Sequence, residues 1–347
     1  MTLTSSELEK AAAGSYVPLA VTYRSDVLES VHHGAVVALN EDGSVAFSYG
    51  DPLVGIFPRS STKPLQAHAM LSAGLDLPDE LLALVCASHD GRAIHLDGVR
   101  RILASVGLDE SALQCALDRP LGENERRAWG DNPPTRIAMN CSGKHAAMLA
   151  RAVLLGEPTS GYEDAAHAVQ RAAHDTVATW SGMTPEQLGV GVDGCGVTVF
   201  SLPLANMALS YARLAHASTH GDEPSRRILH AMTSQPFLVG GSDRFDTRLM
   251  EAVGGNVVCK VGAEGVHTFA IIDRGIGFAL KVEDGSQRAQ FVAVLAMLAE
   301  YDGLPSPLPE SLREAAVRVV RNTRGEQVGE VFVSSAPLGA PACSDVS

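Results

Sequence analysis

Ser60 and Lys63 stand three residues apart in the run Pro58-Arg59-Ser60-Ser61-Thr62-Lys63-Pro64. On a helical or 3₁₀ turn that spacing places two side chains on one face. A serine hydroxyl is a weak nucleophile at neutral pH and needs a base within hydrogen-bond reach. A lysine supplies one when burial or a second cation disfavours its charged form. The segment follows an apolar, strand-like run over 52–57 and precedes a helix-like run over 65–71. Pro64 disfavours the α region for Lys63 and suits a first helical position, so a tight turn leading into the helix is expected. The plainer reading of the same residues is an N-cap serine followed by a solvated lysine.

Four other stretches carry residue types with chemistry. Cys86-Ala87-Ser88-His89-Asp90-Gly91 is a polar run after an apolar helix over 81–85. It can supply a second hydroxyl, or simply cap the helix. Its serine, histidine and aspartate are sequence neighbours and cannot all line up as a triad, which is a spatial arrangement. Asn140-Cys141-Ser142-Gly143-Lys144-His145 opens a helix. A cysteine at a helix start is partly thiolate, and thiolates bind zinc. Cys195, in the glycine-rich run 189–197, is the natural second sulfur. Lys144 and His145 both stay open as a nitrogen ligand, and two buried unpaired thiols are the alternative. Lys260-Val261-Gly262-Ala263-Glu264-Gly265 sits at a strand end. A second ammonium there would help the first lysine act as a base. Gly262 leaves room for a backbone amide to approach a substrate. Gly241-Ser242-Asp243-Arg244-Phe245-Asp246-Thr247 opens a further helix. Ser242 or Asp243 would cap it, and Arg244 has the fork geometry to take a carboxylate; capping is the safer reading.

The elements that must position these residues fall into blocks. Short β-branched runs over 16–23, 28–32, 35–39 and 44–48 predict a β meander, with Glu41-Asp42-Gly43 as one turn. Helical periodicity dominates from 65 to about 181, clearest over 95–106, 144–155 and 165–180. Gly107, Gly156 and Gly182 stand where helix C-caps belong. The run 189–197 reads as a strand end and tight loop. Helices over 204–217, 224–232 and 244–253 follow, then strands over 257–262, 267–273 and 275–282 with a turn at Asp273-Arg274-Gly275. A helix over 286–301, a short one near 309–317 and a strand near 328–333 complete the pattern. Segregated strands and helices predict an α+β fold. Strands from both ends would pair in one antiparallel sheet. The expectation is a single catalytic unit over 1–347, with a mixed sheet and helix lobe (16–60 and 188–335), a mostly helical lobe (61–187) and a frayed tail at 336–347.

Composition sets bounds. The chain has 347 residues, 46% of them hydrophobic, enough for a large core. It carries 27 basic against 40 acidic residues, a net of −13, and no basic run, so no nucleic-acid partner is expected. No apolar window is long enough for a membrane span. Residues 1–15 lack the apolar core of a signal peptide, which makes a cytoplasmic location the expectation. The cysteines at 86, 115, 141, 195, 259 and 343 then read as reduced thiols.

Taken together, Arg59-Ser60-x-x-Lys63-Pro64, Ala87-Ser88-His89, Asn140-Cys141-Ser142-Gly143-Lys144-His145, Gly191-x-Asp193-Gly194-Cys195-Gly196, Ser242-Asp243-x-Phe245-Asp246-Thr247 and Lys260-x-Gly262-Ala263-Glu264-Gly265 occur in one order. That set resembles the rhizobial-type (class 3) L-asparaginases, the L-asparaginase II family, from about residue 16 to 335. The S-x-x-K and Lys-x-Gly elements also resemble those of serine β-lactamases and penicillin-recognising proteins. The resemblance implies a fold similar to serine β-lactamases and glutaminases, usually as a homodimer, and hydrolysis of L-asparagine to L-aspartate and ammonia. It implies two Ser–Lys pairs, Ser60 with Lys63 and Ser88 with Lys260. It implies one zinc per subunit supporting substrate binding, held by Cys141, Lys144 and Cys195 with water. Asp193 would border the metal and substrate.

On this reading Ser60 attacks, Lys63 takes its proton, and Ser88 and Lys260 polarise the site and relay protons. Arg59 or the metal would meet the substrate's α-carboxylate and Asp193 its α-ammonium, with His145 and Gly262 as further substrate contacts. Cys86, Cys115, Cys259 and Cys343 receive no role. Two other functions stay open: a different S-x-x-K serine hydrolase, glutaminase or β-lactamase-like, and a non-catalytic, zinc-binding amino-acid sensor with a β-lactamase-like shape.

Overall fold

The computed structural model describes residues 14–334. Cys343 and the tail at 336–347 lie outside the described residues. The strands are β1 (Val17–Arg24), β2 (Val27–Asn40), β3 (Val45–Tyr49), β4 (Gly55–Ile56), β5 (Gly189–Val192) and β6 (Thr198–Pro203), followed by β7 (Val257–Val261), β8 (Val266–Ile271), β9 (Ile276–Val282), β10 (Arg318–Arg321) and β11 (Gln327–Val333). Eight of them form one sheet in the order β10-β11-β1-β2-β9-β8-β7, with β3 also pairing β2. All its pairings are antiparallel. The two ends of the chain meet in it, Ala20 opposite Val333 and Arg24 opposite Gly329. The architecture is α+β, as the segregated pattern predicts.

Ala35 to Leu39 are all buried, so both faces of β2 are covered there. The Leu204–Thr219 helix packs on β2, β8 and β9, and the Gln287–Glu300 helix on β1, β9 and β11. Gly277 permits the first contact: a Cβ there would collide with the Ala208 carbonyl and the Ala212 amide of the helix. Between the strand blocks run the helices Lys63–Ser72, Asp79–Val85, Ala93–Ala104, Glu123–Trp129, Ser142–Leu154 and Ala168–Ser181. Lys63–Ser72 is buried on every side from Lys63 to Leu71, packed against Ser142–Leu154, Ala168–Ser181 and Glu223–Ser234. No helix among the described residues is long and apolar enough to cross a membrane.

Several elements differ from the sequence reading. The runs 28–32 and 35–39 are one strand, because β2 passes through Gly34 without turning. The lack of a side chain at Gly34 makes room for Leu19 and the Lys281 carbonyl. The strand end read within 189–197 is β5, while β6, β10 and the Glu123–Trp129 helix were not expected. β5 is Gly-Val-Gly-Val, and its pairing with β6 supplies the order its glycines do not. This three-stranded sheet, β4-β6-β5, has a positional consequence. β4 leads into the Ser60 turn and β5 into the Cys195 loop, so β6 ties the two together.

Candidate functional site

Arg59–Thr62 forms a 3₁₀ turn and the helix begins at Lys63. The tight turn is as expected, but Lys63 itself is in the α region (φ −57, ψ −38), its N–H bonded to the Ser60 carbonyl. Pro64 is tolerated because a first-turn position needs no intrahelical donor. Arg59 takes φ 54, a left-handed conformation that non-glycine residues hold only where surrounding contacts impose it. Those contacts are present. The Ser61 hydroxyl donates to the Lys260 carbonyl (2.8 Å), the Tyr211 hydroxyl to the Ser61 carbonyl (2.8 Å) and the Thr62 hydroxyl to the Arg59 carbonyl (2.9 Å). Gly262 presses on the same turn: a Cβ there would collide with the Pro58 carbonyl oxygen. Its own amide is engaged by Val266 (2.8 Å) within the β7–β8 hairpin. The missing side chain therefore serves the turn; the expected open amide is not there.

Lys63 and Lys260 are 1% and 0% exposed. Lys63 Nζ donates to the Ser88 hydroxyl (3.0 Å) and to the Ala87 carbonyl. The Ser60 hydroxyl is half-buried and has no hydrogen bond among the described residues. The hydrogen-bonded pair is thus Lys63 with Ser88, where the family motifs imply Ser60–Lys63 and Ser88–Lys260. The long lysine side chain reaches across to the Ala87–Ser88 loop instead of folding back over its own turn. Lys260 Nζ donates to the Val261 carbonyl (3.0 Å) and lies 3.7 Å from the Asp246 carboxylate. Burial pulls its pKa down to about 8, against Asp246, which raises it, and with Lys63, which lowers it further.

Asp246 was not given a role by sequence reasoning. It is 3% exposed, accepts the Val261 N–H (2.8 Å) and stands 3.1 Å from His267 Nε2. Burial works against its charge, but His267 and Lys260 hold it well below the usual carboxylate range. Asp246, Cys259 and His267 bring ligand-type atoms within 4.8 Å of one another. Lys260 already answers the carboxylate's charge, and burial pushes the Cys259 thiol up, so this trio supports a lysine and needs no cation. Nothing in the Asp-Thr dipeptide two residues into a helix announces such a partner. A cleft of about 120 Å³ opens beside it, lined by Ser88, Arg244, Asp246, Lys260, Gln287 and Phe291 among others. Ser60 lies in the adjoining turn, not on the cleft wall.

A second buried cluster adjoins the turn. Cys141, Lys144 and Cys195 are 3%, 2% and 1% exposed, and Lys144 Nζ is 3.5 Å from Cys195 Sγ. The neighbouring Cys195 thiol holds Cys141 well below the usual thiol range, overcoming burial, with Lys63 and Lys144 assisting. Cys141 and burial push Cys195 up in turn. Burial lowers the Lys144 pKa, but Cys195, Cys141 and Asp193 outweigh it and the net shift is upward. Two buried sulfurs beside the Lys144 nitrogen suit zinc, provided Lys144 gives up the proton that its raised pKa favours. Arg59 Nε donates to Asp193 Oδ1 at 2.7 Å, joining the Ser60 turn to the Cys195 loop. Burial opposes the Asp193 charge, yet Lys144 and Arg59 hold its pKa below the usual carboxylate value. His145 is brought elsewhere. It is fully buried, its Nδ1 hydrogen-bonded to the Tyr162 hydroxyl (2.8 Å), and burial keeps it neutral.

A family model described as L-asparaginase II matches residues 20–333. No curated protein matches the chain. Among solved structures, a β-lactamase from Mycobacterium bovis is similar at 16% identity and TM-score 0.40, over 77% of this chain and 94% of that one. Mglu in its native form is similar at 16% identity and TM-score 0.43, over 83% of this chain and 69% of that one. No residue role is taken from these two. The family match runs through β1 to the end of β11, and the chain belongs to the L-asparaginase II family, whose chemistry is asparaginase-type amide hydrolysis.

Proposed function

We propose that the protein is an L-asparaginase that hydrolyses L-asparagine to L-aspartate and ammonia through a serine acyl-enzyme. One observation carries the reading: two completely buried lysines, Lys63 and Lys260, converge on one serine loop. Burying an ammonium is costly unless it is paired, and lysines buried at a cleft are where catalytic groups are found. Ser60 attacks the side-chain amide from its constrained turn, and Lys63 takes the hydroxyl proton. Ser88, hydrogen-bonded to Lys63, relays that proton toward the departing ammonia. Lys260, with a pKa near about 8, is able to hold or release a proton at working pH. Asp193 meets the substrate's α-ammonium, its carboxylate oriented by Arg59.

Cys141, Cys195 and Lys144 would hold a zinc ion, which when bound supplies a positive charge that orients the substrate. By the family resemblance the working unit is a homodimer acting on free L-asparagine. A second reading has specific support: Ser88 is the serine that Lys63 touches and that lines the cleft, so Ser88 could itself be the nucleophile.

The test is ammonia release from L-asparagine and L-glutamine by purified protein, with intact-mass trapping of the acyl-enzyme. Ser60→Ala should abolish the adduct, whereas Ser88→Ala should slow its formation. The reverse pattern moves the nucleophile to Ser88, and no ammonia from either amide leaves the sensor reading standing.

A further inference from the structure

The cleft that contains Ser88 and Lys260 has one guanidinium among its lining residues, that of Arg244. Arg244 stands at the N-cap of the Phe245–Val253 helix, yet its side chain makes no capping bond. Its backbone is fixed relative to the serine loop. The Ser88 N–H donates to the Val239 carbonyl (3.0 Å) and the Asp90 N–H to the Gly240 carbonyl (2.8 Å). Gly241, at φ 132, lets the two loops close together, since a Cβ there would collide with the Asp90 carboxylate. Arg244 is thus held at a set distance from Ser88 by backbone bonds, and its placement does not rest on its own side-chain contacts.

The electrostatic setting is equally specific. Arg244 Nε lies 3.9 Å from Asp90 Oδ1, too far for a hydrogen bond, and Asp90 is 2% exposed. That Asp90 oxygen has no hydrogen-bond partner among the described residues. The buried carboxylate therefore steadies the guanidinium by charge without occupying its donors. An arginine presents five N–H donors in a planar fork that matches a carboxylate. None of those on Arg244 is engaged by a hydrogen bond among the described residues. Arg59 differs, because Asp193 occupies its Nε at 2.7 Å.

We propose that Arg244 is the anchor for the substrate's α-carboxylate, so that the cleft selects small amides carrying a carboxylate. The proposal rests on the amidohydrolase reading of this cleft. At about 120 Å³ the cleft is far below the roughly 300–1,000 Å³ of sites for drug-sized ligands, and its volume suits an amino acid. A carboxylate gripped by Arg244 at one end presents the side-chain amide at the Ser88 and Lys260 end, beside the turn that carries Ser60 and is tied to Lys260 through Ser61. Arg244 then determines specificity through KM, and no bond is made or broken on it.

The experiment compares wild type, Arg244→Gln and Arg244→Lys on L-asparagine and on 3-aminopropanamide, the same amide without its carboxylate. Losing a charge-assisted bond should raise KM for L-asparagine on the order of 10- to 100-fold in Arg244→Gln, with kcat little changed and partial recovery in Arg244→Lys. On 3-aminopropanamide the three proteins should behave alike. An unchanged KM for L-asparagine in folded Arg244→Gln overturns the proposal, as does an equal loss on both amides. Calorimetric titration with L-aspartate separates this from the functional reading. If wild type releases no ammonia, the activity assignment fails and the anchor is judged by binding. Aspartate bound by wild type and lost in Arg244→Gln sustains it; equal binding to both, or none to wild type, refutes it. Should Arg244→Gln not fold, Arg244→Lys decides by the same comparisons.

Discussion

Lys144 and Lys260 are both completely buried, and their ammonium groups are pushed in opposite directions. Lys260 falls to about 8 although a carboxylate lies 3.7 Å away, while Lys144 rises above its ordinary value. Burial is the largest influence on each, and it acts the same way on both. The neighbours decide the difference. Asp246 is shared between Lys260 and His267, and Lys63 and Arg244 add like charge. Lys144 meets two thiols and Asp193, with the Cys141 thiol held low. A buried lysine is therefore not by itself a base. The balance of charge around it makes one site suited to moving protons and the other suited to holding charge or metal.

Substituting the two lysines breaks the comparison most directly. Lys260→Met should lower kcat about 10²–10⁴-fold, the usual cost of removing a proton-transfer group. Lys144→Met should act mainly on metal content and KM. Steady-state kinetics with elemental analysis of both variants checks this, and equal kcat losses would erase the distinction drawn here. The next largest effect falls on stability. Asp246→Ala leaves Lys260 and His267 buried without their carboxylate, so the protein should lose about 3–5 kcal/mol, read by denaturant titration. A loss under about 1 kcal/mol would mean that Asp246 compensates neither group.

Metal removal sharpens the other half. Cys141→Ala, or chelation of the native protein, should remove one zinc and raise KM by an order of about 10-fold while kcat changes less, because orientation is common to ground and transition states. A protein purified without metal, or a collapse of kcat at constant KM, would contradict the orienting role.

The smallest expected effect is in pH dependence. Lys260 has its folded pKa depressed below the roughly 10.4 of an unfolded lysine. Between about 8 and that value the unfolded chain binds a proton the folded chain has released, so stability rises with pH across the window. Below about 8 both states are charged and the burial penalty is present in full. Melting temperatures from pH 7.5 to 10 should show this rise against the general trend, and Lys260→Met should lack it.

The order of the motifs, the helix that starts at Ser142, the turn before Lys63 and the existence of the terminal strands all follow from local spacing and alternation. These are short-range properties, and the sequence alone determines them. It also places the chain in its family, since the six motifs occur in order along it. β10 escaped because a four-residue length hides a strand that pairing with a neighbour creates. The site's wiring escaped for a related reason. Lys63 reaches Ser88 across 25 positions, Arg59 meets Asp193 across 134, and Asp246 lies between Lys260 and His267. Contacts of that kind depend on how whole elements pack, and a pKa depends on every charge that packing brings near. Tertiary structure alone decided which serine the lysine touches, which arginine lines the cleft, and which buried ammonium is poised to lose its proton.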